Sequence, residues 1–317
     1  MIELSGVSAA VIMENLIRWR LSDESGMSAD RLSLTINADD MKSPPLKGGD
    51  EIKVILGGEK RGAFKASTVS LSLKPAREWV IQLSPATFQR TDPQGWREKR
   101  KRTFPPATVG DVVKSVMVKH GYTVRVEPAL AALPTDHLNQ NEETDKAFIS
   151  RLAEEFDAIA KPINGLFVFG TKGSLQSLSG EAKKPVTITL DDLKTGTVDF
   201  PTDDNFKGVK ASWRESATGR NGETVIGGAP FSRMKQTFAN EAEAERKAEA
   251  ELKKISRHGQ VFTGSLKGRA GFFAESVLTF DEPDETLLLG AWSLDKVTHS
   301  GTRTAHTIQF TATRPKG

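Results

Sequence analysis

The chain has 317 residues, which at roughly 150 residues per domain predicts about two domains, and its 37% hydrophobic content with 27 glycines is ordinary for a globular protein. The lack of cysteine excludes disulfides, iron–sulfur clusters, cysteine-ligated zinc and thiol nucleophiles, and 44 basic against 41 acidic side chains leave a net +3, too little to imply a polyanionic partner. No run approaches the roughly 18 apolar residues of a membrane helix, and Met1-Ile2-Glu3-Leu4-Ser5-Gly6 lacks the pattern of a signal peptide. The expectation is therefore a chain made in a cytoplasm, without membrane insertion.

Apolar and polar residues alternate in Arg31 to Asn37, Glu51 to Ile55, Thr68 to Leu73 and Glu78 to Leu83, the period of half-buried antiparallel strands. Turn formers separate them at Ser43-Pro44-Pro45, Gly48-Gly49-Asp50 and Gly57-Gly58, so residues 1–95 read as a first β-barrel module. A polar, proline-containing stretch from Phe88 through Asp92-Pro93-Gln94-Gly95 into the basic run Arg97 to Arg102 marks a boundary. Beyond it, Thr108 caps a predicted helix with Val109, Val112, Val113 and Val116 on one face and Gly121 as its stop. A second helix is predicted from Glu142 to Phe156, followed by a hairpin about Asn164-Gly165 in which Pro162 indicates an edge strand. Residues 96–185 read as a mixed α/β insert. Strand patterning returns over 186–317 in Val186 to Leu190, Val277 to Phe280, Trp292 to Val297 and Thr307 to Thr311. One helix, begun by Asn240 and Glu243 and stopped by Gly259, carries a narrow stripe of Ala244, Ala248, Leu252 and Ile255 and is expected on the surface of this second β-barrel module. The fold class is thus mainly β, two similar tube-like β-barrel modules flanking an α+β insert.

The two β regions also align with each other. Gly62-Ala63-Phe64 with Val69 matches Gly290-Ala291-Trp292 with Val297, and Val80-Ile81-Gln82-Leu83-Ser84 falls on Thr307-Ile308-Gln309-Phe310-Thr311. Divergent duplication and convergent strand patterning both explain such a match. If duplication is the cause, three such chains closing about an axis would present six similar units.

The residues for catalysis are sparse. His120, His137, His258, His299 and His306 show no metal-ligand spacing, although His299 and His306 can at most approach each other across a hairpin. Asp39-Asp40, Asp191-Asp192 and Asp203-Asp204 are neighbours that point apart on a strand, so they suit turns and caps rather than acid/base pairs. Gly57-Gly58-Glu59-Lys60 lacks the spacing of a phosphate-binding loop. No catalytic, cofactor or metal residue is assigned. The basic side chains Arg97, Lys99, Arg100, Lys101 and Arg102 read as a solvated face, a subunit or partner interface, or a nucleic-acid patch, the last being the weakest reading. Trp79, Trp96, Trp213 and Trp292 read as core or rim residues rather than base-stacking platforms.

Lys99-Arg100-Lys101-Arg102, Thr108-Val109-Gly110-Asp111-Val112-Val113, His120-Gly121-Tyr122 and the stretch from Asn141 to Phe156 together resemble the late control protein D family, the baseplate hub proteins of contractile-tailed phages. The pattern is similar to the hub-like part of type VI secretion spike proteins and to R-type pyocin hubs, and Gly264-Ser265-Leu266, Gly290-Ala291-Trp292 and Val297-Thr298-His299 extend it to nearly the whole chain. The resemblance implies a non-enzymatic homotrimer of pseudo-sixfold symmetry that adapts a hexameric tail tube to a trimeric tail spike. Its implied partners are itself, the tail spike protein, the tail tube protein, other baseplate proteins and the tape measure protein. Its implied place is the virion tail baseplate or a tail-like particle, assembled in the bacterial host cytoplasm. Because the sequence ends at Gly317 without the β-prism of fused secretion spikes, the spike is expected to be a separate chain. The segment from Thr108 to Gly121 also resembles a peptidoglycan-binding LysM-like module, read as structural reuse. The competing function is a tail-associated protein that binds or degrades cell-wall peptidoglycan.

Overall fold

The computed structural model describes residues 1–25, 30–85, 95, 98–135, 137–163, 166–171, 184–200, 206–216, 218–257 and 259–314. The first module consists of β1 (Ile2–Gly6), α1 (Ala9–Glu14), β2 (Leu16–Glu24), β3 (Arg31–Asn37), β4 (Glu51–Leu56), β5 (Glu59–Ser72) and β6 (Glu78–Pro85). Alternation does what it should: Leu32, Leu34 and Ile36 of β3 are fully buried, beside Ile52, Phe64, Ile81 and Leu83. Gly57 and Gly58, both at positive φ, form the two-residue connection of β4 to β5 that such a backbone demands. Asp39 sits in a turn, its N–H donating to Asn37 Oδ1.

The insert has its own core. It contains β7 (Lys99–Phe104), β8 (Ala107–Thr108), α2 (Val109–Met117), β9 (Thr123–Val126), α3 (Pro128–Ala131), β10 (Pro134–Thr135), β11 (Leu138–Thr144), α4 (Asp145–Glu155), β12 (Ala158–Ile163) and β13 (Leu166–Thr171). The Thr108 hydroxyl accepts from the Asp111 N–H, Val109, Val112, Val113 and Val116 are buried, and the helix tightens into a 3-10 turn before Gly121 at φ 80. The second helix begins later than expected, at Asp145, because Thr144 caps it by accepting from the Ala147 N–H. Asn141, Glu142 and Glu143 belong instead to β11, which pairs with β7 through a bulge at Glu142. Among the described residues strand β12 pairs only with β13, as an edge strand carrying Pro162 would; Asn164-Gly165 lies outside the described residues.

The second module runs β14 (Val186–Ile188), β15 (Leu193–Asp199), β16 (Gly208–Arg214), β17 (Asn221–Gly227), β18 (Phe231–Phe238), α5 (Glu241–Arg257), β19 (Gln260–Lys267), β20 (Val277–Phe280), β21 (Trp292–Gly301) and β22 (His306–Arg314). Asp192 caps a short 3-10 turn, while Asp203-Asp204 falls outside the described residues. The helix does not lie on this barrel as expected. Its Ala244 and Ala248 are fully buried against Val209, Ala211, Trp213 and Phe238 of a separate three-stranded sheet, β17-β16-β18, which has its own small core. A stripe of alanines lets backbone approach closely, and the partner it needed was a sheet whose strands the sequence pattern did not reveal.

Two strand sets share one topology. Strands β5, β6, β3 and β2 are neighbours in that order, and β21, β22, β19 and β15 repeat it. Strand β4 pairs β5 as β20 pairs β21, and β1 pairs β4 as β14 pairs β20, antiparallel in the first case and parallel in the second. Even the irregularities coincide: bulges fall at Ile17 in β2 and Lys194 in β15, and at Ser67 in β5 and Asp295 in β21. The structure does correct the alignment of the returning strand. Ala66 faces Leu83, but its counterpart Leu294 faces Ala312, not Phe310. The true match is displaced by two residues, a displacement that keeps every side chain on its face and so leaves no trace in a period-two pattern. The halves are joined edge to edge by antiparallel pairing of β2 with β21, making one 12-stranded sheet.

Candidate assembly interface

The joint between the halves is where the chain concentrates buried polar chemistry. Asp23, on β2, points into the protein with 3% of its side chain exposed. Its Oδ1 accepts from Lys161 Nζ of the insert at 2.9 Å, and its Oδ2 accepts from Arg61 Nη2 of β5 at 2.6 Å and from the Ala274 N–H of the second module at 3.1 Å. One carboxylate therefore ties together both modules and the insert. Asp30 completes the cluster, 3.1 Å from Arg61 and 3.7 Å from Lys161. Burial alone would raise the Asp23 carboxyl, but the adjacent Lys161 and Arg61 charges outweigh it and hold Asp23 well below the usual carboxylate range. Asp30 goes the other way: burial, then the Asp23 charge, push it up to about 6. Ser25 donates to Glu275 across the same joint.

Beside this network, Trp19 of β2 lies 5.1 Å from the His306 ring and donates its indole N–H to the Thr302 carbonyl. The two histidines flagged as hairpin neighbours do meet, His299 Nδ1 lying 3.0 Å from His306 Nε2, and His299 Nε2 lies 2.8 Å from the Phe272 carbonyl. That carbonyl can only accept, so His299 carries its proton on Nε2 and takes the His306 Nε2–H on Nδ1; both rings are neutral. Burial, reinforced for His299 by its neighbour, pulls each of them down to about 4. Gly268 is required here, since a Cβ would lie 2.0 Å from the His306 ring. Among the described residues no group of three or more His, Asp or Glu side chains could hold a metal ion.

The basic run is split by strand alternation. On β7, Arg100 and Arg102 turn inward and Lys99 and Lys101 outward, Lys101 remaining 73% exposed with a 3.5 Å contact to Glu142. Arg97 and Trp96 lie outside the described residues. The inward pair converges on Asp145, the first residue of α4: Arg102 Nη2 donates to Oδ1 at 2.5 Å, Arg100 Nε lies 3.6 Å from Oδ2, Gln140 donates to Oδ1 at 2.9 Å, and His120 Nε2 lies 2.8 Å from Oδ2. Burial would raise this carboxyl, but the bonds from Gln140 and His120 and the two guanidinium charges leave it lowered. Arg100 and Arg102 thus hold the insert together, and among the described basic residues of the run Lys99 and Lys101 are the ones presented to solvent. Asp145 went unnoticed in the sequence because a capped helix start already accounts for an aspartate there.

No protein-family model matches the chain. Full-length comparison does find relatives: the probable baseplate hub protein of Escherichia phage 186 is 23% identical over 336 residues, covering 90% of this chain and 85% of that protein. The probable baseplate hub protein of Escherichia phage P2 is 24% identical, covering 91% and 85%. The chain is a homologue of phage baseplate hub proteins. Solved structures agree with the hub homologue in fold. The tail protein from Neisseria meningitidis superposes with a TM-score of 0.69 at 14% identity, covering 99% of this chain and 96% of that one. The 43 kDa tail protein of prophage MuSo2 from Shewanella oneidensis gives 0.67 at 14% identity, with 95% and 94% covered. An E. coli protein described as a component of the type VI secretion system gives 0.58 at 14% identity, covering 96% of this chain and 74% of its own.

Proposed function

We propose that this protein is the structural hub of a phage tail baseplate or tail-like particle, a homotrimer that adapts a hexameric tail tube to a trimeric spike, with other baseplate proteins and the tape measure protein as further partners. The observation that carries this reading is the duplicated six-strand module: three copies of a chain holding two equivalent modules present six tube-like units to one neighbour and three whole chains to another. The names of the phage 186 and P2 relatives support a structural rather than catalytic role. The outward ammonium groups of Lys99 and Lys101 serve as a contact to an acidic partner surface, either a neighbouring subunit or the tube.

Co-expression with the spike encoded alongside it, followed by light scattering of the purified complex, tests the proposal. The expected mass is that of three hub chains with three spike chains. A hub that remains monomeric in the presence of the spike overturns it.

A further inference from the structure

The duplication has a consequence at the level of individual strands. Inside one chain, the edge of β2 from Trp19 to Glu24 pairs with β21 from Lys296 to Gly301. The counterpart of β2 is β15, and the counterpart of β21 is β5, so the chain carries a second copy of each half of this joint. Within the chain those second copies do not meet. Among the described residues β15 has no partner beyond β19 and ends the sheet, and the part of β5 after Lys65 pairs with β6 alone. The effect on burial is direct: Val297 and Thr298 are covered by β2, but their counterparts Val69 and Ser70 are half-buried and exposed. Leu73 and Phe200, the residues that directly follow β5 and β15, are 67% and 46% exposed.

An open edge is a template for another strand, and natural proteins guard such edges with charge, proline or a bulge. The segment Thr68-Val69-Ser70-Leu71-Ser72-Leu73 has no charged residue and no proline. We infer that the open edge of β5 with the residue after it, Thr68 to Leu73, pairs antiparallel with the open edge of β15 with the residue after it, Gly196 to Phe200, of a second copy of this chain, reproducing between chains the joint that β2 and β21 make within one. This rests on the self-assembly proposed above and specifies its contact.

The internal joint dictates the register. Asp23 faces Val297, Ser22 faces Thr298, Leu21 faces His299, Arg20 faces Ser300 and Trp19 faces Gly301. Carried through the bulge-anchored correspondence, Phe200 faces Val69, Asp199 faces Ser70, Val198 faces Leu71, Thr197 faces Ser72 and Gly196 faces Leu73. The chemistry agrees at each step. Phe200 and Val198 meet Val69, Leu71 and Leu73 on the core side, continuing two cores to which Val69 and Val198 already belong, and Asp199 and Thr197 meet Ser70 and Ser72 on the other. A slip of one residue would set Asp199 against Leu71 and lose every match. Each chain offers one edge of each kind, so the contact is head to tail and closes into a ring when the rotation permits.

Because the chain has no cysteine, introduced pairs report without background. The double variant Ser70→Cys with Asp199→Cys, co-expressed with the spike and oxidised, is expected to give covalent dimers and trimers on a non-reducing gel. Ser70→Cys with Thr195→Cys, four residues out of register, is expected to stay at monomer mass. Phe200→Asp, at an exposed position, is expected to weaken hub association at least tenfold. A complex of three hub chains in which the first pair does not cross-link overturns the edge pairing and leaves the hub reading intact. Equal cross-linking by both pairs overturns the register, unaltered association of Phe200→Asp counts against the contact, and a hub that stays monomeric with its spike overturns both proposals.

Discussion

Asp23 and Asp145 are solved by the same means in different places. Each is a carboxylate taken almost wholly out of water, and each is surrounded by two cations and further donors rather than one partner. A buried ion pair contributes little net stability against an apolar replacement, yet breaking one is costly because it strands a charge. Replacing Arg102 by alanine therefore should cost about 1.5–3 kcal/mol in urea unfolding, the range of a hydrogen bond to a charged group, whereas Lys101→Ala, removing an exposed neighbour on the same strand, should change stability by less than about 0.5 kcal/mol. Equal effects from the two would mean the inward and outward assignment of the run is wrong. The sequence could show four basic residues in a row, but it could not say which of them had an aspartate waiting at the start of a helix more than forty positions away.

At the scale of elements, what was readable is what local physics decides. The valine face and threonine cap of α2, and the hairpins in the first module, follow from spacing and turn chemistry alone. The start of α4 was misplaced because Glu142 and Glu143 look like good helix formers; the backbone at Glu142 is instead left-handed, at φ 54, to make the bulge. A left-handed residue favours glycine, so Glu142→Gly should leave the protein unchanged or stabilise it by about 0.5–1 kcal/mol. Thr144→Ala should destabilise it by about 1 kcal/mol through the lost cap. Thermal or chemical unfolding of the two variants checks both signs; a strongly destabilising glycine would restore a helical role to Glu142. Strands β16, β17 and β18 escaped notice because their buried side chains, Val209, Ala211, Trp213 and Phe238, are few against the polar residues between them. The pairing of β2 with β21 links positions nearly the length of the chain apart, which no local pattern encodes.

For the molecule as a whole, the joint makes stability depend on pH. His299 and His306 have folded values near 4 against about 6.5 for free imidazole, so below 6.5 the unfolded chain takes up protons that the folded rings refuse, and stability falls as pH drops from 6.5 to 4. Asp30, raised to about 6, acts in the opposite sense: between 6 and its unfolded value the folded state holds the proton more tightly, so acidification there is stabilising. Two histidines against one aspartate leave a net loss toward pH 4. Denaturant midpoints measured from pH 7 to pH 4 should fall, more steeply in Asp30→Asn and less steeply in His299→Gln. An Asp30→Asn curve no steeper than the parent's would show that this carboxyl titrates as it does in water.

The two modules are equal in their strands but not in what hangs between them. Where the first copy passes from β2 to β3 in a few residues, the second interposes the whole unit of β16, β17, β18 and α5 between β15 and β19. In a ring built from alternating copies, the framework would repeat at every module while these attachments recur only at every other one. A repeated strand framework with unequal ornament would let a single polypeptide present one count of units along its strands and half that count along its outer decoration.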